Sequence, residues 1–360
     1  MATIATIAEI ARLAGVHPST VSRVLRGHPG FNVGDECRDR ILKIARELNY
    51  APQIAGRSLV SGKSYTIVAA LGDMERDLAS PFLAPVMTAL TRTLWTQGYA
   101  LALLPVDARD RRTLNRDMMQ IIRESRADGY FIPQLFLNAA TMALLQQRRR
   151  PVVTFAGRNG GIATGGIVSA VVLDEQPGAD GVAQALAQLG HRRVLYVRPY
   201  PHQDLRYEAL RKALRREGIA CDANDCLTYN PPQRGFLHDR PSAQLAAAAN
   251  MSKLLEYSAV VCCSDLVVLG VMDALCQQGV EPGKDISVVG YDNIEENANF
   301  QMDKPMLATI DRGAHERGRA AAELLLERLE QPNRAPSVRV VPTRFIQRMS
   351  IAKPKGGASS

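Results

Sequence analysis

From about Tyr65 onward the chain alternates short apolar runs with amphipathic stretches at helical spacing, and this alternation limits what it can fold into. The runs that read as strands are Thr66–Leu71, Ala100–Leu104, Tyr130–Ile132, Val152–Ala156, Ile167–Leu173, Val194–Val197, Ala259–Cys262 and Ser287–Gly290. Helical stretches lie between most of them, around Leu90, Ile121, Leu186, Leu210, Leu254 and Leu269. Strands that alternate with helices specify doubly wound parallel sheets. Roughly 290 residues of this pattern exceed what one sheet usually holds, so two α/β subdomains are expected.

The first 50 or so residues follow a different rule. Thr6 and Glu9 have the spacing of a capping box, in which the hydroxyl caps the first turn and the carboxylate reaches back. Ile7, Ile10, Ala11 and Ala14 then share one helix face, and Gly15 breaks the helix. Pro18 suits a first helical position, and the helix it opens carries Val21, Val24 and Leu25 inward. A third helix starts near Asp35 and runs through Ile41, Leu42, Ile44, Ala45 and Leu48. Small residues at Ala11 and Ala14 let two short helices approach closely across a glycine turn, the spacing of a helix-turn-helix. Its second helix projects Ser19, Thr20, Ser22, Arg23 and Arg26 outward, and such a helix fits the DNA major groove. The same residues also suit a three-helix protein-binding module. Pro52 to Gly62 is linker-like, with Leu59 standing alone.

Composition narrows the classes further. The formal charge of +8, from 44 Lys+Arg against 36 Asp+Glu, leans weakly toward polyanionic partners. No apolar run of about 18 residues and no export signal is present, so a cytoplasmic protein without a membrane partner is expected. Cys37, Cys221, Cys226, Cys262, Cys263 and Cys276 form no CxxC pair, so reduced structural thiols and no metal are expected. Phosphate loop, nucleophile elbow and dinucleotide fingerprint are all missing, which argues against an enzyme and against a cofactor.

Several blocks in order resemble the lactose/galactose repressor family. They are Ile7–Leu25, Arg40-Ile41-Leu42, Asn49-Tyr50-Ala51-Pro52, Arg57-Ser58-Leu59 with Gly62, Asp128-Gly129, Leu189-Gly190-His191-Arg192, Asp285 through Asp292, and Thr309-Ile310. The resemblance implies a helix-turn-helix at 1–51, a hinge helix at 52–63 and a periplasmic-binding-protein-like core at 64–354, with 355–360 a disordered tail. It places one subdomain at about 64–175 and 308–336, and the other at about 176–307 and 337–354. It further implies a homodimer that represses transcription by binding a palindromic operator under the control of a small-molecule effector. Pro18, Ser19 and Arg23 would choose the DNA sequence, with Thr6, His17, Thr20, Ser22, Arg26, Asn49, Tyr50 and Arg57 in further DNA contacts. His17 stands where the family usually has a serine, and a histidine caps a helix less well. Leu59 takes the place of a leucine that wedges into a base step.

For the effector, the resemblance implies Phe82, Arg158, Arg206, Tyr229, Ser264 and Asp292. Read without it, Arg206 also fits a helix surface and Phe82 an ordinary core. Ser80, Gly157–Arg158 and Ser264 depart from the sugar-binding pattern. A sugar or sugar acid is expected first and a nucleobase or nucleoside second; an exported solute-binding protein is the alternative reading.

Gly56 stands in the hinge where a helix former is usual, and glycine costs about 1 kcal/mol relative to alanine in a helix. Gly56→Ala is therefore expected to tighten operator binding several-fold in an anisotropy titration. Unchanged or weaker affinity would contradict a hinge that folds on DNA.

Overall fold

The computed structural model describes residues 5–25, 33–50, 62–72, 74–107, 110–124, 127–157, 167–200, 204–230, 239–297 and 305–355. They fall into two units, Met1–Tyr65 and Thr66–Ser360.

The first unit holds three helices, α1 (Ile7–Ala14), α2 (Pro18–Leu25) and α3 (Asp35–Glu47). Ile10, Ala11, Ala14, Val21, Val24, Ile41 and Ala45 are buried together between them, the set that helical spacing predicts. The Thr6 hydroxyl caps α1 by accepting the Glu9 amide at 3.2 Å. Only that half of the expected box is made among the described bonds, and the cap does not need the other half. Gly15 ends α1 at φ +67°, a left-handed conformation that glycine adopts without strain. The start of α2 differs from expectation. His17 is an effective cap, since its Nδ1 accepts the Ser19 amide at 3.3 Å and lies 2.8 Å from the Ser19 hydroxyl.

The second unit contains two six-stranded sheets. The first has the order β2-β1-β3-β4-β5-β11, all parallel, from β1 (Thr66–Leu71), β2 (Ala100–Pro105), β3 (Gly129–Phe131), β4 (Val152–Gly157), β5 (Val168–Asp174) and β11 (Val338–Pro342). The second runs β7-β6-β8-β9-β10-β12, from β6 (Leu195–Pro199), β7 (Cys226–Tyr229), β8 (Ala259–Cys262), β9 (Ser287–Tyr291), β10 (Ala308–Asp311) and β12 (Arg344–Ile346). β12 lies antiparallel to β10, an edge strand that departs from the all-parallel expectation. Each sheet reverses its strand order between the first and third strands in sequence. In open α/β sheets, ligands bind beyond the carboxyl ends of strands at that reversal.

The subdomain boundaries need correction at the C-terminal side. β10 pairs with β9 in the second sheet, although 308–336 was expected in the first subdomain. β11 pairs with β5 in the first sheet, although 337–354 was expected in the second. One apolar run near the C-terminus is in fact two strands. Pro342 lacks the N–H needed to continue the ladder, and the chain changes sheet just after it.

The chain thus crosses between sheets three times, after β5, after β10 and after β11. Thr343, buried at 2% exposure, ties these crossings together. Its amide and its hydroxyl both donate to the Asp174 carbonyl, at 3.0 and 2.9 Å, and its Oγ1 accepts the Gly178 amide at 3.1 Å. A Cβ on Gly178 would lie 2.5 Å from Ile310 Cγ2 and 2.7 Å from Thr343 Oγ1. His191 fastens the chain end to the second sheet. Its Nε2 donates to the Ala352 carbonyl at 3.0 Å, so its Nδ1 accepts from the Ser258 hydroxyl at 2.8 Å.

Gly178→Ala should therefore force the crossing apart and destabilise the body by about 2 kcal/mol. Urea unfolding measures this, and a loss below a few tenths of a kcal/mol would show that the crossing yields easily.

Candidate DNA-reading surface and ligand cleft

On α2, Val21 and Val24 face the core, which turns Pro18, Ser19 and Arg23 to solvent and leaves Thr20 and Ser22 half-buried. The expected reading residues therefore share one accessible face. Ser19 is held by His17 on that face. Thr6 is exposed at the start of α1, where free backbone N–H groups favour an anion such as a phosphate. Asn49 is exposed in a left-handed conformation just past α3, at φ +48°, while Tyr50 packs partly against the helical core. Arg12, Arg38, Arg40, Lys43 and Arg46 are exposed and add positive charge. Arg26, Arg57, Leu59 and Arg158 lie outside the described residues, as does most of the hinge.

The body gathers its charged side chains at the carboxyl ends of strands. Asp292 follows β9 and Arg312 follows β10, and the Arg312 Nη1 donates to Asp292 Oδ1 at 2.9 Å, with both side chains only 13% exposed. Arg206, on the helix after β6, donates to the Cys263 carbonyl and stacks its guanidinium 5.6 Å from the Tyr291 ring centroid. Burial alone would lower the Arg206 pKa, yet Asp292 and Glu175 outweigh it and raise the value above the ordinary one. Asp292 thus acts on Arg206 electrostatically, while its direct partner is Arg312, which sequence reasoning did not single out. Phe82 joins them, with Arg312 Cζ 4.5 Å from its ring centroid.

The Asp292 backbone has φ +107°, a region that a side-chain-bearing residue rarely adopts. Asp265 holds this turn. It is fully buried, accepts the Ile294 amide at 2.9 Å through Oδ2 and bonds Thr309 Oγ1 at 2.7 Å. Gly290 permits the approach, because a Cβ there would lie 2.0 Å from Asp265 Oδ1. The strain and its buried support fix where the Asp292 carboxylate points.

Two expected ligand residues have structural duties. Ser264 caps the helix Asp265–Gln277 by accepting the Val267 amide at 3.4 Å and is 1% exposed. A serine ahead of an apolar helical run is itself a cap signal. Tyr229 ends β7 inside the second hydrophobic core, 7% exposed, and burial pushes its hydroxyl pKa up. Among the described residues, no group of three His, Cys, Asp or Glu is placed to hold a metal ion. No helix among them is long and apolar enough to cross a membrane.

Residues 6–53 match the model of bacterial regulatory proteins of the lacI family, and residues 183–351 match that of a periplasmic binding protein-like domain. The chain thus joins a lacI-family helix-turn-helix domain to a periplasmic-binding-protein-like domain. It is 27% identical over 355 residues to the HTH-type transcriptional repressor PurR of Aliivibrio fischeri, which covers 97% of this chain and 98% of that one. The ribose operon repressor of Haemophilus influenzae is 28% identical over 358 residues, 96% of this chain and 98% of its own. Among solved structures, the lac repressor dimer bound to operator and the anti-inducer ONPF superposes with a TM-score of 0.74 at 20% identity, over 97% of this chain and all of that one. A transcriptional regulator CelR–cellobiose complex gives 0.66 at 24% identity, over 96% and 99%. At these identities the structures show a shared fold. The first sheet lies largely outside both family models, and the relatives that align over nearly the whole chain cover it. With these two domains in one chain, it is a DNA-binding transcription regulator with a periplasmic-binding-like body.

Asp292→Asn keeps the shape of the turn and removes the charge opposite Arg312 and Arg206. It is expected to destabilise the body by about 2–3 kcal/mol in urea unfolding, because a nearly buried guanidinium loses its counter-charge. Unchanged stability would mean that the pair is solvated.

Proposed function

We propose that the chain is a repressor that binds a two-fold symmetric operator as a dimer, and that a small molecule in the cleft changes its hold on DNA. The lacI-family head with Pro18, Ser19 and Arg23 on one exposed face carries this reading. Arg23 would pair with a guanine edge through two hydrogen bonds, the commonest specific contact in a major groove. Pro18 would pack on a thymine methyl, and Ser19, oriented by His17, would bond a neighbouring base or phosphate. Leu59 in the hinge would wedge into the central base step.

A ligand spanning the cleft would change the angle between the subdomains about the Thr343 crossing. The first subdomain begins at β1, directly after the hinge, so such a change would alter the spacing of the two hinges in a dimer. Arg206, Asp292 and Phe82 are proposed to hold this ligand, with Arg158. The ribose operon repressor among its relatives and the cellobiose complex among its structural neighbours favour a sugar or sugar derivative, ahead of a nucleobase. DNA as a partner implies the cytoplasm.

Selection of random duplex DNA by the full chain is expected to return a roughly palindromic site. Arg23→Ala should weaken that site by about 1–3 kcal/mol and relax one position per half-site, whereas Lys43→Ala should weaken all sequences evenly and lower the salt slope by about 1. Failure to enrich any site, or full sequence preference in Arg23→Ala, would overturn the reading.

A further inference from the structure

The helix Ala314–Glu330 buries one stripe against the first subdomain, and that stripe includes Ala314, Gly318, Ala321 and Leu325. Arg317 sits in the same stripe at 4% exposure. Packing alone gives no reason for a guanidinium there, and an aliphatic side chain would satisfy the periodicity. Arg317 Cζ lies 4.0 Å from the Phe155 ring centroid and 5.2 Å from that of Phe82. Arg312 shares the Phe82 ring at 4.5 Å.

Beyond the Arg312–Asp292 bond, aromatic faces are what these two guanidiniums rest on, and they leave hydrogen bonds unmade. Nε and Nη1 of Arg317 and Nε of Arg312 are buried without an acceptor. A guanidinium Nε carries one N–H and an Nη two, all fixed in a planar fork that suits carboxylate and phosphate. Glu175 Oε2 and the Tyr291 hydroxyl are also buried and unpartnered. Asp292 is already engaged by Arg312, and Asp204 by the Tyr196 hydroxyl and the Arg206 amide. Phe155 also walls a hollow of about 500 Å³ beyond the carboxyl ends of β1, β3 and β4, lined by Leu71, Leu83, Phe131 and Pro133, with Asp77 and Gln134 as its polar members.

We infer that the cleft is built for an anionic, hydroxylated effector, whose carboxylate or phosphate binds Arg317 and Arg312 beside Phe82 and Phe155. A hydroxyl of the same molecule would donate to Glu175. This rests on the reading of the cleft as an effector site and names the chemical class of its ligand. The electrostatics agree: burial, and next the like charge of Arg312, push the Arg317 pKa well below its ordinary range. An incoming anion would offset both penalties. A neutral sugar would leave the guanidinium buried without a charge partner, which is costly.

The test uses the full chain in calorimetric titrations and thermal melts with inorganic phosphate, D-gluconate, D-glucose 6-phosphate and D-glucose at matched ionic strength. At least one anion should bind tenfold or more tightly than glucose, and gluconate against glucose 6-phosphate separates a carboxylate ligand from a phosphate one. Arg317→Leu and Arg312→Gln should each lose tenfold or more of that anion affinity. Ligand-free Arg317→Leu should melt higher than the wild type, because a buried unpaired charge is gone; a merely structural arginine would make it melt lower. Equal responses of the wild type and Arg317→Leu to every anion, including no response, overturn the inference, as does glucose binding as tightly as the anions. Operator binding separates the two claims. Anion binding through Arg317 that leaves operator affinity unchanged refutes the effector reading alone. A neutral sugar that shifts operator affinity equally in both proteins refutes the anionic site alone.

Discussion

Thr343 sits where three chain crossings meet, and the architecture of the body depends on the bonds it makes there. Its contacts to Asp174 and Gly178 join residues about 165 positions apart in sequence, so the sheets share one short pivot. A hydroxyl that both donates and accepts suits this place, because the crossing strands present a carbonyl on one side and an amide on the other. Gly178 leaves no room for a side chain, so the pivot is close-packed. The proposed motion between the subdomains would turn about this point and open or close the facing carboxyl ends of the strands.

The cleft beyond the pivot is costly to fold. It holds Arg317 with unmet donors, Asp292 in strained backbone and Glu175 with an unpaired oxygen. Each lowers the stability of the empty protein and is explained if a ligand relieves it. The surrounding structure absorbs the cost through well-packed neighbours, including Asp265 behind Asp292 and the small-residue stripe around Arg317. The contrast with Ser264 and Tyr229 is informative. The Ser264 hydroxyl is spent as a helix cap, whereas the Tyr229 hydroxyl is enclosed by the core and, like that of Tyr291, has no hydrogen-bond partner.

Much of the fold was legible because periodicity is local. The three head helices and the strands before β10 other than β7 follow from runs of apolar residues, and the buried set Ile10, Ala14, Val21 and Ile41 follows from helical spacing. The return crossings were not legible. Whether Ala308–Asp311 or Val338–Pro342 joins one sheet or the other is decided by pairing partners far away in sequence, and no short-range signal carries that. Arg206 and Asp292 were singled out as candidates through family likeness. Arg312 and Arg317 were not, because they lie beyond a strand and on a helix that read as ordinary return segments. A charged residue in an otherwise small and apolar helical stripe was the available signal for Arg317.

Coupling between the cleft and DNA is the most direct test of the account. It can be measured by titrating operator DNA with the full chain, first alone and then with a saturating amount of the anion that binds through Arg317. The account predicts a change in operator affinity of about 5–150-fold, and an equal change in anion affinity when operator is saturating, since linkage is reciprocal. Identical operator affinity with the cleft empty and filled would contradict it.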